Sequence, residues 1–104
     1  MRGDVHRLRT PRGARADEQR GFRYAVILQS DDLMLSTLLV APTSRSAQPR
    51  IFRPTIGIGE EATQVLPEQT LAVAPTWLGE LVGHVSLTEL QAIDAALRLT
   101  LGID

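Results

Sequence analysis

The chain contains no cysteine. Disulfides, thiolate zinc sites and cysteine nucleophiles are therefore excluded. It contains no lysine either, so all 11 basic side chains are arginines. The four aromatic residues, Phe22, Tyr24, Phe52 and Trp77, are too few to build an aromatic-lined peptide groove. Two histidines, His6 and His84, cannot make a histidine-rich metal cage. No apolar run approaches the ~18 residues that span a bilayer. The opening MRGDVHRLRT carries no apolar signal region. A cytoplasmic location without membrane contact is the expectation.

What is present fits one globular domain over residues 1–104. Hydrophobic residues make up 43% and charged residues 22%, so the chain can hold a core and is not disordered throughout. The formal net charge of -1 conceals an asymmetry. Residues 1–53 carry ten arginines against five acids, and residues 54–104 carry one against seven. Arginine's planar fork suits phosphate and stays charged at any physiological pH. GC-rich codon usage accounts for the lack of lysine but not for the asymmetry. A basic face for a phosphate-bearing or acidic partner is expected.

The order of elements reads mainly β. Residues 3–9 alternate weakly and predict a first strand. TPRGARADEQRG (10–21) has Pro, two Gly and three Arg, and predicts a long exposed loop, a feature more often functional than idle. FRYAVILQ (22–29) is a strong β segment. A turn at 30–32 precedes a strand over 33–41 that Pro42 should end. TSRSAQP (43–49) predicts a second polar loop. A bulged strand over 50–58 and short strands at 63–66 and 69–74 follow, then a turn near 75–80 and a strand near 82–85. The C-terminus predicts the one clear helix. Ser86 and Glu89 form a capping box, Val85 and Leu90 a hydrophobic staple, and Gly102 a stop. Leu90, Ile93, Leu97 and Leu101 make one apolar stripe. A small, bent sheet or barrel with a helix packed on it fits this pattern.

Chemistry has few carriers. Asp31-Asp32 and Glu60-Glu61 are adjacent pairs that read as solvated turns, so no metal site and no cofactor are expected. The Gly57/Gly59 pair opens no helix and has no lysine beside it, so it is not a phosphate loop. Polar groups gather in two loops. The first offers Asp17, Glu18, Gln19 and Arg20, with Arg23 at the start of the next strand. The second offers Thr43, Ser44, Arg45 and Ser46. A carboxylate, an arginine and a hydroxyl permit metal-free RNA cleavage, in which the 2′-hydroxyl is the nucleophile. Two ordinary polar loops are the competing reading of residue types alone.

Longer segments narrow the choice. RGDVHRL (2–8), RGARADEQRGFRYAVIL (12–28), STLLVAPTSRS (36–46), VLPEQTLAV (65–73) and LGELVGHVSLTELQAIDAALRLTLGI (78–103) follow one another in a fixed order. In that order the chain resembles the MazF/PemK (Kid) toxins of type II toxin–antitoxin systems over essentially its whole length. The resemblance implies an SH3-like barrel of the MazF/PemK/CcdB type with a C-terminal helix, and a homodimer. It implies metal-independent, sequence-specific cleavage of single-stranded RNA, leaving 2′,3′-cyclic phosphate and 5′-hydroxyl ends. It also implies a cognate antitoxin whose acidic disordered tail lies in the RNA groove.

Residue roles follow from the same resemblance. Arg23 would stabilise the phosphorane and protonate the leaving group. Ser44 or Thr43 would orient the phosphate. Glu18 would accept the 2′-hydroxyl proton or position Arg23. Arg12, Arg15, Asp17, Gln19, Arg20, Arg45, Glu68 and Gln69 would handle RNA. Three positions depart from the family pattern. Tyr24 stands where a proline usually follows the arginine, His6 replaces an aromatic, and Thr70-Leu71 stands in place of an arginine. The alternative on the same fold is a non-catalytic, CcdB-like toxin that binds a protein such as DNA gyrase. Such toxins engage the target through a tryptophan near the C-terminus, whereas this chain ends LGID and has its single Trp at position 77.

Overall fold

The computed structural model describes residues 1–9 and 24–104. Among the described residues, seven strands form one antiparallel sheet: β1 (Asp4–Leu8), β2 (Tyr24–Ile27), β3 (Leu38–Ser44), β4 (Thr55–Ile58), β5 (Glu61–Val65), β6 (Leu71–Val73) and β7 (Leu78–His84). Single 3-10 turns at Pro67–Gln69 and Pro75–Trp77 join the later strands, and helix α1 (Leu87–Leu101) closes the chain. The strand order is β4-β5-β3-β2-β1-β7, with β6 also paired to β3. The expected mainly β fold with a C-terminal helix is therefore observed.

Alternation along β2 and β3 gives the sheet two apolar faces. Val26 and Ala41 pack with Val5, Ile56, Val65 and Ile93 on the helix side. Ala25, Ile27 and Val40 pack with Val73 on the other. Burial on both faces explains why these strands read as nearly continuous apolar runs. Tyr24 belongs to the helix-side core, with the Arg7 guanidinium 5.5 Å from its ring centre. Leu71 packs on the opposite core. Two of the three departures from the family pattern, Tyr24 and Leu71, thus serve packing.

Three sequence expectations are corrected. The third strand starts at Leu38 rather than Leu33, and Leu33, Met34 and Leu35 lie exposed before it. Their apolar character suggested a strand, but among the described residues no partner strand pairs with them. Pro42 does not end β3, which runs on to Ser44. The Leu39 carbonyl accepts from Leu28 on the β2 edge, so alternation turns Pro42 to the other edge, where its carbonyl accepts from Leu66. There the neighbouring strand changes from β6 (Leu38–Val40) to β5 (Thr43–Ser44). The missing N–H falls in that gap, so it interrupts no ladder bond. Consequently Thr43 and Ser44 are buried strand residues, not loop residues.

The helix follows its sequence signals. Ser86 Oγ accepts from the Glu89 N–H at 3.1 Å, and Glu89 Oε1 accepts from the Ser86 N–H at 2.8 Å. Gly102 ends α1 with φ +69°, a left-handed conformation that costs glycine little. Ile93 and Ala96 are fully buried and Leu90 and Leu97 half-buried, whereas Leu101 is 64% exposed. The predicted stripe therefore ends one turn early, at Leu97.

Candidate functional site

Thr43 and Ser44 are adjacent on β3 and so point to opposite faces of the sheet. Thr43 is 2% exposed, and its Oγ1 donates to the Tyr24 carbonyl at 3.4 Å. Its hydroxyl is committed to the join between β2 and β3. Ser44 lies at the end of the strand, where the chain turns out of the sheet. Its Oγ accepts the Ala47 N–H at 3.2 Å and lies 3.1 Å from Ser46 Oγ. That backbone donor fills one lone pair and leaves the Ser44 proton for Ser46 or another acceptor.

Ser44 continues into a polar ladder across three strands. It pairs with Gln64 on β5, and Gln64 pairs with Thr55 on β4. Thr55 Oγ1 donates to Gln64 Oε1 at 3.0 Å. Opposed residues of antiparallel strands share a face, so the ladder extends the face of Val40, opposite the helix. No single segment of the sequence announces Gln64 or Thr55. Only their pairing registers bring them to Ser44.

The chain from Ser44 to Arg53 forms the rim of this edge. Arg45 pairs with Glu61 at 3.0 Å on the exposed surface. Gln48 is a meeting point for two arginines. Arg50 Nη2 donates to its side-chain Oε1 at 2.5 Å, and Arg53 Nη1 donates to its carbonyl at 3.3 Å. Arg50 and Arg53 also face each other across a short β-bridge. Arg53 Nε donates to Glu68 Oε2 at 2.6 Å, and its guanidinium lies 5.2 Å from the Phe52 ring centre. Glu68 is thereby tied to the rim, while its buried Oε1 has no hydrogen-bond partner among the described residues. Gln69 is exposed in the same 3-10 turn.

The structure therefore brings Ser44, Arg45 and Glu68 to one edge and turns Thr43 away. Arg12, Arg15, Asp17, Glu18, Gln19, Arg20 and Arg23 lie outside the described residues. Sequence reasoning passed over Gln48, Arg50 and Arg53. Their signal was the surplus of arginines in residues 1–53, which composition marked but did not locate.

The two histidines sit elsewhere. His6 Nδ1 is 3.0 Å from the Gly79 carbonyl, and His84 Nδ1 is 2.7 Å from Asp4. Burial acts to raise the Asp4 pKa, but the His84 hydrogen bond and the N-terminal ammonium outweigh it and hold the carboxyl below its ordinary value. Glu89 behaves alike. Burial acts upward, yet the N–H groups of Ser86 and Gly57 prevail and lower its pKa. Among the described residues, no group of three or more His, Asp or Glu side chains could hold a metal ion. Among them, too, no helix is long and apolar enough to cross a membrane.

Comparison with known proteins matches this architecture. A curated candidate toxin of Mycobacterium tuberculosis, Rv3098A, is 32% identical over 104 residues, covering 99% of this chain and 98% of its own. A mycobacterial endoribonuclease solved with its cognate antitoxin superposes with a TM-score of 0.79 at 17% identity, covering 100% of this chain and 96% of that one. MazF from Deinococcus radiodurans gives a TM-score of 0.79 at 20% identity, covering 98% and 96%. At these identities the two solved structures establish the fold. The family model of the PemK-like, MazF-like toxins matches residues 1–101. With that match and the close relative, the chain belongs to the PemK-like, MazF-like toxins of type II toxin–antitoxin systems.

Proposed function

We propose that this toxin is a sequence-specific endoribonuclease that cuts single-stranded RNA without a metal ion. The products carry a 2′,3′-cyclic phosphate and a 5′-hydroxyl. The observation that carries this reading is the family match across residues 1–101. The polar edge at Ser44 supports it. The toxin acts as a homodimer in the cytoplasm, and a cognate antitoxin neutralises it by laying an acidic tail in the RNA groove.

The reaction is an in-line displacement at phosphorus. The 2′-oxygen forms a bond to phosphorus as its proton leaves. The bond to the 5′-oxygen breaks, and that oxygen takes up a proton. Glu18 receives the first proton or positions Arg23. Arg23 stabilises the charge on the pentavalent phosphorane and supplies the second proton. Ser44 donates to a non-bridging oxygen, the role to which the Ala47 hydrogen bond leaves its proton free. Thr43, its hydroxyl committed to Tyr24, supports the strand. Preorganised donors aimed at developing charge contribute most to catalysis of this kind.

The test is a digest of a long, defined RNA in EDTA, with new 5′ ends mapped and cyclic phosphate assayed. Arg23→Ala protein runs beside the wild type. Discrete cuts at a shared short sequence, lost in Arg23→Ala with the melting transition unchanged, are expected. Strict dependence on Mg²⁺, or full activity in folded Arg23→Ala, would overturn the mechanism. A wild-type protein that cuts no RNA but inhibits gyrase would replace the nuclease by the binding toxin.

A further inference from the structure

The rim beyond Ser44 holds more positive charge than its carboxylates balance. Arg50 and Arg53 converge on one residue, Gln48, from opposite sides of a short bridge. Of these two, among the described residues, only Arg53 has a carboxylate partner, Glu68. Arg50 is exposed and, among the described residues, pairs with no acid. Two guanidinium groups held toward one neutral residue repel each other unless an anion joins them. Fixed donor forks of this kind match a phosphate diester.

Arg53 is also fixed in place by three neighbours. Glu68 grips its Nε, the Gln48 carbonyl takes its Nη1, and Phe52 backs its plane. Among the described residues, Nη2 makes no hydrogen bond. Meanwhile the buried Glu68 Oε1 has no hydrogen-bond partner among the described residues, which carries a desolvation cost. The chain reaches Gln48 directly from Ala47, whose N–H holds Ser44.

We propose that Arg50 and Arg53 form a phosphate clamp for the RNA strand beside the phosphate at Ser44, and that Glu68 is a positioning residue that aims Arg53 rather than an RNA contact. This clamp rests on the nuclease reading and deepens it. It assigns RNA binding to two residues outside the family-derived set and moves Glu68 from contact to support.

The experiment uses full-length protein and one short RNA containing a mapped cleavage site. Cleavage gives kcat and KM in EDTA. Fluorescence anisotropy in the Arg23→Ala background gives Kd as a function of salt. Arg50→Gln and Arg53→Ala are each expected to raise KM and Kd about fivefold to tenfold. They should leave kcat within about twofold and flatten the slope of log K against log salt by about 0.7 for each phosphate no longer neutralised. Arg53→Lys, which keeps the charge but not the fork, should recover the slope and part of the affinity. Glu68→Gln should weaken binding in the wild type but have no further effect in Arg53→Ala. An effect of Glu68→Gln that persists without Arg53 would overturn its positioning role. Unchanged affinity and salt slope in folded Arg50→Gln and Arg53→Ala, with wild-type cleavage intact, would overturn the clamp alone. A wild-type protein that neither binds nor cuts RNA would overturn the nuclease reading beneath it.

Discussion

Two arginine–carboxylate pairs in this molecule look alike. Arg2 meets Asp94 at 2.5 Å, and Arg53 meets Glu68 at 2.6 Å, all four side chains being partly buried. Their surroundings differ. Arg2 Nε also donates to the Leu28 carbonyl, and the Arg2 N–H donates to Asp31. That pair therefore ties the N-terminus, the end of β2 and the middle of α1 into one brace. Among the described residues, the Arg53 pair leaves a carboxylate oxygen unsatisfied and a second arginine, Arg50, without an acid. Distance alone would rate the two equal. The number of satisfied groups separates a structural brace from a site that waits for a ligand.

Substitutions should probe that likeness along two axes, stability and RNA affinity. The largest stability effect belongs to the core under the brace. Ile93 is fully buried on the helix face, so Ile93→Ala should cost ~2–5 kcal/mol in chemical denaturation. A cost near zero would mean that α1 does not seal the helix-side core. Arg2→Ala should come next, at about 1–2 kcal/mol, because it leaves Asp94 and the Leu28 carbonyl without their donor. Its RNA affinity should match the wild type. Arg53→Ala should cost a similar ~1–2 kcal/mol, because it leaves Glu68 and the Gln48 carbonyl without their donor, but it should also weaken RNA binding. Equal RNA affinity in the two variants would erase the distinction.

The smallest effect concerns pH and lies on the brace side. Asp4 and Glu89 both have folded pKa values below their ordinary values of 3.8 and 4.5. Folding thus favours their ionised forms. The stability they contribute is fully present above those ordinary values and is lost as pH falls through the lower, folded ones. The melting temperature should drop more steeply below pH 4.5 in wild type than in Glu89→Gln, which no longer titrates at that site. Parallel acid profiles would show that the helix cap does not contribute to acid sensitivity.

The boundary between what was legible and what was not runs through particular residues. The capping box of Ser86 and Glu89 and the stop at Gly102 were readable because each depends on residues within one helical turn. β2 was readable because β-branched and aromatic residues cluster in it. The span of β3 was misread at both ends. An apolar triplet, Leu33-Met34-Leu35, resembled strand, and Pro42 resembled a stop. Strand limits depend on which neighbour supplies hydrogen bonds, and that neighbour comes from distant sequence. Glu68 was noticed as an acid in a family-like segment, but its partner Arg53, 15 residues earlier, was not.

The sequence by itself determined the mainly β class, the capped helix, the arginine-rich first half and the family. Those properties rest on local periodicity, on composition and on the order of short motifs. Tertiary structure alone decided that Thr43 faces the helix-side core while Ser44 turns to the polar edge. It alone brought Gln64 and Thr55 into line with Ser44, and Arg50, Arg53 and Glu68 to one rim. The physical reason is that a strand's two faces are equivalent until a sheet packs. Only packing tells which neighbouring side chain enters the core and which is left to meet a ligand.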